Sequence, residues 1–316
     1  MAVVCRSGRK RTVTGNPVPL LVAGVLAFSA FELYATDELY ATEGTLNDWL
    51  DACRQTGEKQ SAEACTKILR LNLNDDQYAA VHWLRGAAYF RKGNYAAAKK
   101  DFRKVVEFDP TEPSAYYWLG RISESEGKRM EALHNYNKAI SKDPDDHVAL
   151  YARAVNHIKT GNFEKARADL DRAISINDAE HIYFTNRGIV LGALDMPELA
   201  ARDFEQAQKR NPSDSHRMNA EAWFRATTRN DRFRDGQEAV RLAEAAIKAD
   251  DRWGYRDSLA AALAETGRFE EAVKEMKEAI RFLRENGNDE VLPGVLARTK
   301  LYEEGKPLRC PSKACD

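Results

Sequence analysis

Residues 113–146 read PSAYYWLGRISESEGKRMEALHNYNKAISKDPDD, and the same pattern returns along the chain in steps of 34 residues. Glycines recur at Gly93, Gly127 and Gly161. Small and large apolar positions keep the same step: Ala98, Ala132, Ala166 and Ala200, and Phe102, Tyr136, Leu170 and Phe204. A fixed period of this length indicates stacked copies of one small unit. It favours a binding protein over an enzyme with one buried catalytic site.

Each unit contains two helical segments separated by a glycine turn. In residues 79–112, Trp83, Leu84 and Ala87 recur at helical spacing, and the chain then breaks at Gly93. The second segment stops at Asp109-Pro110, because proline cannot continue a helix and restrains the residue before it. Helices this short are not stable alone, so they must bury their apolar faces on each other and on the next pair.

The spacing predicts five segments along the 316 residues. The strict step is lost after Ser213, and end units of a stack need one face that tolerates solvent. We predict a signal peptide or signal anchor (1–35), a linker with a degenerate helix pair (36–78), four regular units (79–214), two further units (215–286), and a closing helix with a cysteine-containing tail (287–316).

The repeated residues resemble the tetratricopeptide repeat (TPR). The positions that fit its pattern are Tyr116, Leu119, Gly120, Gly127, Ala132, Tyr136, Ala139 and Pro144. The resemblance covers 79–286, and the segment from Arg234-Asp235-Gly236 to Gly305-Lys306-Pro307 resembles a C-terminal module of bacterial proteins of this class. It implies an all-α, right-handed superhelical solenoid of antiparallel helix pairs. The concave face, lined by the first helices, would bind peptides or partner proteins.

The same resemblance predicts which residues line that groove. The set is Trp83, Tyr117 and Tyr151, then Ala87, Arg121 and Val155, then Phe90, Glu124 and Ile158, with Thr185, Ile189 and Gly192 in the fourth unit. Stacked aromatic residues can anchor a peptide. The alternative is that these rings pack on neighbouring units. Some family members clamp a carboxylate with Lys and Asn, but Trp83 and Ala87 stand at those positions here.

Charged residues vary together between units. Arg85, Arg153 and Arg187 share one repeat position, and Asp101, Asp169 and Asp203 share another, sixteen residues later. Where the arginine becomes Leu119, the aspartate becomes Asn135; Ala226 and Leu242 replace both, and Leu259 with Glu275 breaks the rule. Because a desolvated charge without a partner is costly, we predict structural ion pairs between the two helices of a unit.

The N-terminal residues predict export. Arg6, Arg9, Lys10 and Arg11 precede an apolar stretch from Val18 to Phe31, which is shorter than the roughly 20 residues of a membrane span and suits a secretory leader. Cleavage after Ala35, after Ala41 or near Ala27-Phe28-Ser29 stays open, as does retention as a membrane tether. We therefore expect a periplasmic or secreted protein, with a membrane anchor facing the periplasm as the alternative.

The cysteines agree with an oxidising compartment. Cys53 and Cys65 form one close pair and Cys310 and Cys315 another, whereas Cys5 lies in the leader. A Cys53–Cys65 disulfide would stabilise the terminal helix pair, and the alternative is two packed thiols. Cys310–Cys315 would close a small loop in a polar tail.

No catalytic motif stands out in the chain. The sequence has no phosphate-binding loop, no Gly-x-Ser-x-Gly and no His-Glu-x-x-His, and its six histidines are scattered. The 48 basic and 49 acidic residues leave no footprint for nucleic-acid binding. We expect no enzyme activity, cofactor, metal or small-molecule substrate.

The expected function is that of a non-catalytic protein-interaction scaffold in the bacterial cell envelope, which binds a protein or peptide ligand in the groove. Two alternatives remain. One is a membrane-tethered envelope assembly factor. The other is a thiol-disulfide or metal-handling accessory that uses Cys310 and Cys315.

Overall fold

The computed structural model describes residues 43–54 and 59–310, and it contains helices and no strand in that part of the chain. The predicted leader (1–35) lies outside the described residues, as does Cys315. The helices are α1 (Glu43–Arg54), α2 (Lys59–Ile68), α3 (Asp75–Arg91), α4 (Tyr95–Phe108), α5 (Pro113–Ser125), α6 (Arg129–Lys142), α7 (His147–Lys159), α8 (Phe163–Ile176), α9 (His181–Ala193), α10 (Pro197–Arg210), α11 (Ser215–Thr227), α12 (Gly236–Ala249), α13 (Trp253–Glu265), α14 (Phe269–Glu285) and α15 (Leu292–Glu303).

The chain divides into two compact units at Lys142. In unit 1, α1 packs on α2, α3 on α4 and α5 on α6, and the second helix of a pair also contacts the first helix of the next pair. In unit 2, the pairs are α7–α8, α9–α10, α11–α12 and α13–α14, and α15 packs on α14. Each unit is therefore a stack of helix pairs, which confirms the predicted all-α solenoid class.

Local sequence signals set the helix ends. Asn74 caps α3 in a capping box with Gln77, and Pro113 occupies the first turn of α5. Helix α4 ends at Phe108, before Asp109-Pro110, as the sequence predicts. These signals place the loops at the same point in successive pairs.

A left-handed residue follows the first helix in the four successive pairs from α3–α4 to α9–α10. Gly93, Gly127 and Gly161 have φ angles of 72°, 73° and 69°, where glycine is favoured because it has no Cβ. Asp195, one step of 34 after Gly161, has φ 58° and is the only non-glycine residue with positive φ in the described ranges. The turn geometry therefore persists where the glycine has been lost, because Asp tolerates this conformation better than most residues.

A second glycine position lets the two helices of a pair approach closely. A Cβ added to Gly120 would lie 2.5 Å from Cε1 of Tyr136, and one added to Gly188 would lie 3.0 Å from Phe204. Gly86 stands in the same relation to Phe102, at 3.2 Å. In the α7–α8 pair both residues change, since Ala154 replaces the glycine and Leu170 replaces the ring. The larger side chain on one helix is thus matched by a smaller one opposite.

The three predicted ion pairs connect first and second helices. Arg85 donates through Nε to Asp101 Oδ2 (2.9 Å) and through Nη2 to Oδ1 (2.8 Å). Arg153 and Asp169 form the same bidentate pair (2.8 and 2.6 Å), and so do Arg187 and Asp203 (2.7 and 2.8 Å). Each aspartate is buried, so each pair fixes the register of its two helices where an unpaired charge would be costly.

The exception at Leu259 and Glu275 has a structural explanation. Glu275 is paired with Arg256, one helical turn before Leu259, at 2.9 Å. His82 approaches Asp101 from the equivalent position in the α3–α4 pair, with Nδ1 at 2.8 Å from Oδ1. The acidic residue of the second helix thus keeps a basic partner, supplied from a different turn of the first helix.

We predict that Gly120→Ala destabilises the protein by about 2 kcal/mol, because the new methyl group overlaps the Tyr136 ring. Combining it with Tyr136→Leu, which reproduces the Ala154 and Leu170 combination, should cost less than the sum of the two single changes. Urea unfolding of the four proteins in this double-mutant cycle measures the coupling. Additive effects would show that the two positions do not compete for space.

We also predict that Asp101 makes stability depend on pH in the acid range. Burial raises the pKa of its carboxyl, but hydrogen bonds from His82 and Arg85 outweigh this and hold the pKa below its ordinary value of 3.8. The resulting stabilisation is fully present above pH 3.8 and is lost as the pH falls through the lowered native pKa.

Thermal unfolding from pH 7 to pH 2 tests this. The Tm difference between wild type and Asp101→Asn should shrink as the pH falls, whereas the exposed Asp76→Asn should show a small difference throughout. A Tm difference for Asp101→Asn that stays constant from pH 7 to pH 2 would contradict the lowered pKa of Asp101.

Candidate partner-binding surfaces

Four of the predicted groove residues form a partly exposed cluster in unit 1. This Arg121 surface consists of Phe90 on α3 and of Tyr117, Arg121 and Glu124 on α5. Arg121 Nη1 donates to the Tyr117 hydroxyl at 2.7 Å. The Arg121 guanidinium carbon lies 6.0 Å from the centroid of the Phe90 ring and 5.8 Å from that of Tyr117. The Arg121 side chain remains 41% exposed, so two rings hold a cation that solvent can still reach.

The charges on this surface are well defined. Burial lowers the pKa of the Arg121 guanidinium, but the contacts with Tyr117 and the charge of Glu124 outweigh this and raise the pKa overall. Burial also raises the pKa of the Tyr136 hydroxyl, which stays protonated and donates to Glu124 Oε2 at 3.1 Å. The same carboxylate oxygen lies 3.9 Å from Arg121 Nε, so Arg121 is ion-paired with Glu124 while 41% of its side chain stays exposed.

Trp118 packs against two residues of the Arg121 surface. It is not among the predicted groove residues. Its ring stacks on Phe102 at 5.8 Å and meets the edges of Phe90 at 4.9 Å and Tyr117 at 5.3 Å. Trp118 therefore fixes the two rings that hold Arg121. The sequence feature that could have indicated this role of Trp118 is the aromatic run Tyr116-Tyr117-Trp118.

Trp83 and Ala87 are not surface residues, and the prediction that they contact a partner is corrected. Trp83 is 7% exposed and Ala87 is 4% exposed. The indole N–H of Trp83 donates to Ser114 Oγ of α5 at 2.7 Å, and its ring meets the edge of Phe102. The large indole reaches the next helix pair and is buried there, as the alternative interpretation of these rings proposed.

The three predicted residues on α7 are half-buried. The Tyr151 ring lies 5.0 Å from that of Tyr183, and its hydroxyl accepts a hydrogen bond from Asn186 Nδ2 at 3.4 Å. Tyr151 is therefore largely a packing residue. Val155 follows it on the same helix face, and Ile158, one turn further, borders a cavity.

That cavity, of about 780 Å³, lies wholly within unit 2. Helices α9, α11, α13 and α15 supply most of its lining, and α7, α8, α10 and the segment at Cys310 contribute further residues. Ile189 and Gly192 of the fourth predicted groove set are among its lining residues, but Thr185 is fully buried. Sequence reasoning missed the contributions of α11, α13 and α15, because the repeat step is lost after Ser213.

The cysteines occupy both ends of the described chain. Cys53 and Cys65 form a disulfide that joins α1 to α2, with their Cα atoms 5.0 Å apart. Cys310 is disulfide-bonded, and its predicted partner Cys315 lies outside the described residues. The backbone N–H of Cys310 donates to the carbonyl of Thr227 at 3.1 Å, which brings this segment back to α11.

Residues 43–54 and 59–310 contain neither a candidate metal site nor a candidate membrane span. No group of three or more His, Cys, Asp and Glu side chains there could hold a metal ion. No helix there combines the length and the apolar character needed to cross a bilayer.

Family models identify the repeats. Two models described as tetratricopeptide repeats match residues 119–181 and 254–286, and one described as a TPR repeat matches residues 86–123. The chain is a tetratricopeptide-repeat protein. The TPR assignment agrees with the 34-residue step and with the stacked helix pairs.

Three known proteins show how far the similarity of this TPR protein extends. Human tetratricopeptide repeat protein 6 is 30% identical over 134 residues, which are 42% of this chain and 26% of the human protein. The pilF structure from Pseudomonas aeruginosa is 18% identical, covers 73% of this chain and 99% of its own, and has a TM-score of 0.57. A tetratricopeptide repeat protein from Parabacteroides merdae ATCC 43184 is 21% identical, with 72% and 89% coverage and a TM-score of 0.55.

These comparisons define the class of the TPR protein. This chain spans about a quarter of the length of the human relative, and the two structures show the fold alone. The TPR fold supports protein–protein interaction, and proteins built from it are generally non-catalytic scaffolds.

Proposed function

We propose that this TPR protein is a non-catalytic scaffold that binds a partner polypeptide at the Arg121 surface. One observation carries the proposal. The guanidinium of Arg121 is held by a hydrogen bond, two rings and the Glu124 carboxylate 3.9 Å from Nε, yet 41% of its side chain is exposed. Aromatic residues and arginine are the side chains that contribute most at protein interfaces.

The chemistry of the surface indicates the kind of partner. Arg121 presents N–H donors in a planar fork, which suits a carboxylate. The rings of Phe90 and Tyr117 beside it offer an apolar contact. We expect the partner segment to place an aspartate, a glutamate or a C-terminal carboxylate on Arg121 and an apolar side chain on the rings. Because Arg121 is already oriented, little side-chain entropy is lost on binding.

We further propose that the protein acts in the bacterial cell envelope, on the periplasmic side. The basic start and the apolar stretch from Val18 to Phe31 support export. The Cys53–Cys65 disulfide supports an oxidising compartment, because such bonds are rare in the cytosol. The bacterial source rests on the resemblance of the C-terminal segment.

Reversing one charge tests the interaction. We predict that Arg121→Glu lowers partner capture from envelope extract at least tenfold, because it repels a carboxylate and removes the cation from the rings. Affinity capture followed by quantitative mass spectrometry measures this. Arg103→Glu, on the exposed side of α4, is the matched control and should capture the same partners as wild type.

The two variants should have similar helical content by circular dichroism, which keeps a folding defect from imitating a binding defect. Equal capture by Arg121→Glu and Arg103→Glu would remove the Arg121 surface as the binding site. A second variant, Tyr117→Phe, removes the hydroxyl that orients Arg121 and should give a smaller loss of capture.

A further inference from the structure

The second helices of unit 1 lie side by side. Arg85 of α3 connects two of them, because its guanidinium donates to Thr66 Oγ1 on α2 at 3.0 Å and to the Asp101 carboxylate on α4. Lys99 of α4 then binds Glu131 of α6 at 3.0 Å. Helices α2, α4 and α6 therefore form one row, and we call its exposed side the second-helix face. The surface proposed above for a polypeptide is carried by the first helices α3 and α5.

The exposed charges of the second-helix face are predominantly basic. Among the described side chains, α2, α4 and α6 expose seven basic and two acidic residues. The four second helices of unit 2, α8, α10, α12 and α14, expose ten basic and eight acidic residues. The balanced charge of the whole chain therefore conceals a local excess of positive charge in unit 1. Such an excess attracts polyanions, and salt weakens the attraction.

A pocket beside this face brings three cations together. It has a volume of about 440 Å³ and lies between α2 and α3. Lys67 of α2, Arg70 just after that helix and Lys92 just after α3 line it, and Glu63 is the one acidic residue of the lining. Among the described residues, no carboxylate forms an ion pair with any of these three cations. Because like charges that converge repel each other, a phosphate group bound here would be stabilising.

An apolar side chain projects from the same face. Met130, in the first turn of α6, is 77% exposed. By helical spacing it points away from the side of α6 that buries Ala132 and Tyr136. A bilayer interface accommodates both features, because apolar side chains enter the headgroup region while cations contact the lipid phosphates. A nucleic acid offers an isolated methionine no comparable apolar environment.

The N-terminal sequence also favours a membrane over other polyanions. The apolar stretch ends at Phe31, and α1, which belongs to unit 1, begins at Glu43. The intervening residues span at most about 40 Å even when fully extended. A bilayer that holds this stretch, as a leader or as an anchor, therefore lies within that distance of unit 1.

We infer that the second-helix face of unit 1 docks on the anionic surface of a phospholipid bilayer. Its cations contact lipid phosphates, the pocket lined by Lys67, Arg70 and Lys92 receives one phosphate-bearing headgroup, and Met130 enters the headgroup region. The inference rests on the proposed envelope location. The first helices, which carry the Arg121 surface, take no part in the contact.

Cosedimentation of the full chain with lipid vesicles tests the dependence on charge. We expect vesicles of phosphatidylcholine with about one third phosphatidylglycerol to bind at least tenfold more tightly than pure phosphatidylcholine, and about 0.5 M sodium chloride to remove most of the difference. Equal affinity for the two kinds of vesicle would overturn the inference. Tighter binding to a DNA duplex than to the anionic vesicles, at the same ionic strength, would also overturn it.

Two double charge reversals locate the contact. Lys100→Glu with Lys142→Glu, on α4 and α6, should weaken binding to the anionic vesicles at least fivefold. Lys274→Glu with Lys277→Glu, on α14 of unit 2, is the matched control and should change it less than twofold. All four lysines are exposed, so both variants should keep the wild-type melting temperature. The basic N-terminal residues are the same in both variants, and equal losses would exclude the second-helix face.

A fluorescent label tests the orientation of the docked protein. An environment-sensitive dye on Met130→Cys should shift its emission to the blue when anionic vesicles are added, whereas the same dye on Ala168→Cys, at an exposed position of α8, should not. An unshifted dye at position 130 on a vesicle-bound protein would overturn the docked orientation. Arg121→Glu should bind the vesicles within twofold of wild type, which separates this inference from the proposed binding of a polypeptide.

Discussion

The stack depends on close contact between the two helices of each pair, where a small residue on the first helix faces a large one on the second. Gly120 and Tyr136 show the constraint most sharply, because a single methyl group would lie 2.5 Å from the ring. Protein interiors are packed too densely to absorb such an overlap at no cost. Volume lost on one helix is therefore recovered on the other, as Ala154 and Leu170 indicate.

Charge adds a second constraint that acts on register. Three arginines each donate two hydrogen bonds to a buried aspartate: Arg85, Arg153 and Arg187. This bidentate geometry permits one alignment of the two helices. Close packing alone would allow one helix to slide along the other more readily than a bidentate ion pair does. In the α13–α14 pair, Arg256 supplies the cation from a different turn of the first helix. Where the second helix carries this carboxylate, it is paired, but the cation does not always come from the same position of the first helix.

Much of this architecture could be predicted, since each rule repeats and the copies can be compared within one chain. The helix pairs and the covariation of arginine and aspartate follow from positions 34 residues apart. Exposure could not be predicted in the same way. Trp83, Tyr117 and Tyr151 share one repeat position, yet Trp83 is buried and the two tyrosines are half-buried. The size of each ring and its neighbour on the next pair decide the outcome.

By itself, the sequence determined the class of fold, the helix boundaries and the ion pairs, because these depend on local propensity and on spacing within one repeat. Tertiary structure alone decided which side chains face solvent and where space remains. Most residues that line the unit 2 cavity come from α9, α11, α13 and α15, which are far apart in the sequence and lie partly beyond the regular step. No periodic pattern encodes such a volume, since it is the space left after the helices around it have packed.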